Sequence, residues 1–114
     1  MKPGEIVLLR LPQPNLSPGK LRPVLVLSEL PGLFGNILMC DISSQLHQEI
    51  PNWDEQLTPA DTDFGTCDLK VASVIRLGWL AAVNPSASVG TLGSIAPERL
   101  ARLRQRLDAH LALP

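Results

Sequence analysis

Proline sets the first limit on how this chain can fold. Eleven prolines and eight glycines interrupt its 114 residues, and six of the prolines fall within the first 31 positions. A proline lacks an amide donor and clashes with the preceding helical turn, so a long helix is excluded there. Between the interruptions lie short apolar runs. Ile6–Leu11, Val24–Leu27 and Ile37–Ile42 are 4–6 residues long, partly β-branched and bounded by Gly, Pro or Asn, which predicts strands. Pro12–Lys20 holds three prolines and no alternating pattern, and predicts an exposed loop. Residues 47–53 predict a further strand, restricted by Pro51 to an edge or a bulge. Leu57–Asp68 reads as an irregular connection, Leu69–Val83 as a strand with a bulge at Gly78, Asn84-Pro85 as a turn and Val89–Ile95 as a last short strand.

Only the C-terminus has a helical period. Leu100, Leu103, Leu107 and Leu111 form one apolar stripe, while Arg99, Arg102 and Arg106 line another side and are expected to be a solvated face rather than a binding surface. Pro97 suits a first helical turn, but Ala96 before it has no oxygen with which to cap. Several strands followed by one helix predict a small open barrel packed on that helix, in one domain over residues 1–114.

The formal charge of −1 conceals segregation: residues 1–34 carry +2, residues 35–69 carry −7 with no Lys or Arg, and residues 70–114 carry +4. An anionic ligand is therefore not excluded near either end. Cys40 and Cys67 show no metal or disulfide spacing and are expected to be buried free thiols in a reducing compartment. His47 and His110 are too far apart to suggest a metal site. No apolar run approaches the roughly 20 residues of a membrane span, and the N-terminus does not read as a signal peptide. A cytoplasmic protein is expected.

Gly4-Glu-Ile-Val7 and Gly19-Lys-Leu-Arg-Pro-Val-Leu-Val-Leu-Ser28 resemble the MazF/PemK family of toxin endoribonucleases. Ile42-Ser-Ser-Gln45, Ser73-Val-Ile-Arg-Leu77 and Gly93-Ser-Ile-Ala-Pro-Glu-Arg-Leu100 extend the likeness along nearly the whole chain. Ala96, Gly78 and the proline-rich first loop depart from the family's pattern. The resemblance implies a mainly β fold with a C-terminal α-helix, a small SH3-like barrel that forms a homodimer. It further implies the toxin of a type II toxin–antitoxin system: a sequence-specific endoribonuclease that cuts single-stranded RNA without metal or cofactor and is silenced by a cognate antitoxin protein.

Such cleavage uses the ribose 2′-OH as nucleophile. The protein must help remove that proton, stabilise charge on the phosphorus and protonate the departing 5′ oxygen. Arg22 is the candidate for phosphate charge, since a guanidinium matches phosphate oxygens and Pro23 holds it in extended backbone at a strand mouth; the alternative is a plain surface arginine. The resemblance puts Ser43 at the catalytic hydroxyl, with Ser44 its competitor; otherwise a Ser-Ser pair ending a strand makes only local turn bonds. Lys20, Ser44, Gln45 and Arg76 are the candidate RNA contacts. His47, near neutral pKa, is a lesser acid or base candidate and reads more plainly as a loop residue. Trp53 and Phe34 are candidate stacking platforms, and Trp79 is expected in the core. The acidic middle would either repel RNA or discriminate among bases by accepting from their amino groups. Two other readings are a gyrase inhibitor of the related CcdB type and an inactive SH3-like binding module.

Overall fold

The computed structural model describes residues 1–10 and 19–114, so most of the expected loop over Pro12–Lys20 lies outside the described residues. The chain forms β1 (Glu5–Arg10), β2 (Leu21–Glu29), β3 (Ile37–Ser43), β4 (Glu55–Leu57), the short α1 (Phe64–Cys67), β5 (Ser73–Val83), β6 (Ser88–Ser94) and α2 (Pro97–Leu111), with 3₁₀ turns at Leu46–Gln48 and Pro85–Ala87. The six strands make one curled antiparallel sheet in the order β4-β5-β3-β2-β1-β6. The expected mainly β fold with a closing helix is what the chain adopts.

Both faces of the sheet are covered, which is why β2 shows an unbroken apolar run instead of alternation. Leu25 and Leu27 face the helix side, where Ile6, Cys40, Ile42, Ile75 and Leu77 meet Leu103 and Leu107 of α2. Val24 and Val26 face the opposite side with Val7, Leu9, Ile37 and Met39. Leu103 and Leu107 of the predicted stripe are buried and Leu100 packs beside them, whereas Leu111 is 70% exposed. Both cysteines are buried free thiols. Burial and the charge of Asp63 push the Cys67 thiol up to about 11, and burial raises Cys40 as well, so neither is reactive near neutrality.

Two local expectations fail. Residues 47–53 are not a strand: the Trp53 and Asp54 amides both donate to the Ile50 carbonyl (3.1 and 2.9 Å), and the Asp54 carboxylate accepts from the Ile50 amide at 2.9 Å, closing a turn before β4 begins. The connection after β4 is partly ordered as α1. It is fixed to β6 where Thr66 Oγ1 donates to the Ser94 carbonyl at 2.9 Å, and Gly93 is required there because a Cβ would stand 2.0 Å from the Thr66 carbonyl oxygen.

Arg99, Arg102 and Arg106 are not simply a solvated face, because all three pair with acids of the middle segment. Arg99, 8% exposed, donates through Nε to Asp63 Oδ2 (2.8 Å) and through a terminal nitrogen to Glu55 Oε1 (2.8 Å), and pairs with Asp61 at 3.3 Å. Arg102 and Arg106 converge on Glu55 at 2.8 and 3.1 Å. The missing oxygen at Ala96 is compensated from afar, since Asp63 Oδ2 accepts from the Ala96 amide at 3.0 Å and sets a carboxylate against the helix N-terminus.

Candidate functional site

The site develops where the apolar face opposite α2 turns polar at one end of the sheet. Val24 pairs with Asp41, and Asp41 pairs across with Arg76. Side chains two residues apart share a face, so Arg22 below Val24, and Ser43 beyond Asp41, fall on this same surface. Arg22, Ser43 and Gln45 line two adjoining clefts. The first, of about 560 Å³, continues over Asp41, Gln48, Arg76 and Trp79. The second, of about 400 Å³, runs past Ser44 and Lys70. A separate cleft of about 510 Å³ between Gly4 and Leu100 gathers no comparable set of guanidinium and hydroxyl groups.

The predicted bulge builds one wall. Cys40 pairs with Leu80 while the next residue, Asp41, pairs with Arg76, so Leu77, Gly78 and Trp79 are extra residues on β5. Leu77 turns into the core, and its amide donates to the buried carboxylate of Asp54 at 2.9 Å. Gly78 fits under the Trp53 indole, whose Nε1 would lie 3.1 Å from a Cβ. Trp79 is thrown outward, 61% exposed, with the Arg76 guanidinium 4.8 Å from its ring centroid.

The expected placements of the two tryptophans are therefore reversed. Trp53 is half-buried against the helix-side core, edge-on to His110 at 4.9 Å, while Trp79 stands at the cleft. Phe34 is 76% exposed but lines neither cleft, as do Lys20 and His47, both exposed. Of the candidate residues, Arg22, Ser43, Ser44, Gln45 and Arg76 line the two clefts and Lys20 does not. Asp41, Gln48, Trp79 and Lys70 were not anticipated. For Asp41 the available signal was a carboxylate interrupting an apolar strand two positions before Ser43.

Ser43 is held in place. Its hydroxyl donates to Gln48 Oε1 at 2.8 Å and accepts from the Gln45 amide at 3.1 Å. The second contact is the local turn bond open to any serine ending a strand; the first comes from the 3₁₀ turn. Among the described residues no carboxylate reaches salt-bridge distance of Arg22 or Arg76. Burial pushes the Asp41 carboxyl above its ordinary range, opposed by the charges of Arg22 and Arg76 and by the Ile42 amide. Among the described residues no group of three or more His, Cys, Asp or Glu side chains is placed to hold a metal ion.

The profile of the PemK-like, MazF-like toxins of type II toxin–antitoxin systems matches residues 2–111. The chain belongs to that family. Comparison with curated proteins finds no matching relative. For this PemK/MazF-like toxin, the family implies an antitoxin partner, and no described helix is long and apolar enough to cross a membrane.

Proposed function

We propose that this PemK/MazF-like toxin is a sequence-specific, metal-independent endoribonuclease that cleaves single-stranded RNA by attack of the 2′-OH on the adjacent phosphate. The observation that carries the reading is the placement of the Arg22 guanidinium, which has no salt-bridge partner among the described residues, and the oriented Ser43 hydroxyl at the junction of two clefts on one face. A phosphate at that junction would take its charge compensation from Arg22 in a fixed fork of donors. Ser43 would donate to a phosphate oxygen or relay a proton, exchanging its bond to Gln48 for one to substrate. Lys70 and Arg76 flank the junction on either side and suit the neighbouring phosphates, with Ser44 and Gln45 as further polar contacts. The working unit in this reading is one domain per protomer, a homodimer in the cytoplasm that encloses the RNA path with its second copy and is silenced by the antitoxin.

The test is incubation of the purified protein with single-stranded RNA in EDTA. Cleavage leaving 2′,3′-cyclic phosphate ends, reduced about 10³-fold by Arg22→Ala, is the expected outcome. No cleavage of any RNA, together with inhibition of gyrase, would replace this reading with the CcdB-type one.

A further inference from the structure

Asp41 is not needed for the chemistry just described, and it is an unfavourable residue for β3 to bury. It is 8% exposed, on an otherwise apolar strand, with no ion-pair partner among the described residues. Of the other buried acids, Asp54 accepts from two backbone amides, and Asp63 from the Arg99 guanidinium and the Ala96 amide. Support for Asp41 comes from the Ile42 amide and, through space, from Arg22 and Arg76. Its carboxylate lies along a cleft of about 560 Å³, within the roughly 300–1,000 Å³ range of small-ligand sites. On the same cleft the β5 bulge exposes Trp79, backed by Arg76. An aromatic ring with a cation on one face and 61% of its surface accessible is a stacking platform.

We propose that this cleft is a nucleobase subsite in which Trp79 stacks the base and Asp41 accepts a hydrogen bond from its exocyclic amino group, so that an amino-bearing base is favoured over uracil at the position read. The inference rests on the RNA reading above and specifies it. Cytosine and adenine present an amino donor beside a ring-nitrogen acceptor, whereas uracil presents one N–H between two carbonyl oxygens that repel a carboxylate. The flanking guanidiniums partly offset the burial that raises this carboxyl, and they suit the phosphates on either side of the base. The acidic character of the middle segment thus enters the site as one placed acceptor and not as a repulsive field.

The experiment is fluorescence-anisotropy titration with labelled 2′-O-methyl heptamers of C, A and U, which cannot be cleaved by 2′-OH attack. Wild type is expected to bind the C and A heptamers at least about fivefold tighter than U, the lower end of a single-base discrimination. Asp41→Asn, which turns an acceptor-only edge into one that also donates, is expected to close or invert that gap. Trp79→Ala, a surface change, is expected to weaken all three by about fivefold or more while keeping their ratio. Equal binding of the three by wild type, no binding of any, or a gap that survives in a folded Asp41→Asn would overturn the subsite. Should Asp41→Asn not fold, the wild-type ratio and Trp79→Ala decide. Base-selective binding without cleavage of unmodified RNA would leave the subsite standing and remove the nuclease reading; cleavage without base selectivity would do the reverse.

Discussion

Ser43 and Ser44 are neighbours at the end of β3, but only Ser43 has its hydroxyl fixed, between Gln48 Oε1 and the Gln45 amide, and only Ser43 lines both clefts. Ser43→Ala is expected to lower kcat about 10²–10³-fold, with Ser44→Ala close to wild type in the same single-turnover assay; equal losses would show that the chemistry depends on both hydroxyls and not on Ser43 alone. At Gly93, alanine would drive a Cβ into the Thr66 carbonyl, an overlap with backbone that no rotamer relieves. Gly93→Ala is expected to cost about 3 kcal/mol or more in denaturant unfolding. Arg22 and Arg76 were legible in the sequence as a guanidinium at a strand mouth and a cation in a later strand, and Ser43 was picked out by its place in the family resemblance. Trp79 was not. Its apolar neighbours argued for the core, and only the three-residue bulge, which depends on how β5 registers against β3, turns it outward.

At the level of elements, α2 was predicted from its leucine period and found over Pro97–Leu111, but the role of its arginines depended on partners some 40 residues away. No local pattern encodes a pairing of that range. The physical consequence is graded by burial. Arg99→Ala would leave Glu55 and Asp63 without their shared cation and is expected to destabilise by about 3–5 kcal/mol. Arg102→Ala, whose side chain is 51% exposed, is expected to cost under about 1 kcal/mol; equilibrium urea curves separate the two. The same cluster sets the acid limb. Burial alone would raise the Glu55 and Asp63 carboxyls, but the arginines, and for Asp63 also the Ala96 amide, hold both below the ordinary carboxylate range. The native state then binds fewer protons than the unfolded chain. Their stabilisation is complete above the ordinary carboxylate pKa of about 4 and is lost as pH falls through the lowered values. Arg99→Met is expected to flatten that acid limb in a series of thermal melts. Asp41 has the opposite sign: with a raised carboxyl, its contribution declines as pH rises through the folded value.

For the whole molecule, the +2, −7 and +4 blocks do not map onto separate regions of surface. Glu55, Asp61 and Asp63 meet the arginines of α2 on one side of the sheet, while Arg22, Arg76 and Lys70 gather about the clefts. The sequence showed that the charges were segregated along the chain but not which blocks would meet in space, because that follows from strand order. With two or three cations free for phosphates, log K for single-stranded RNA against log salt is expected to have a slope of about −2, reduced by about 0.7 in Lys70→Ala. In the language of polyelectrolytes, α2 is a counterion bound covalently to its own macroion. Salt that displaces RNA from the clefts will therefore leave the carboxylate cluster around the buried Arg99 largely in place, and the protein should release its nucleic acid at ionic strengths well below those that loosen its fold.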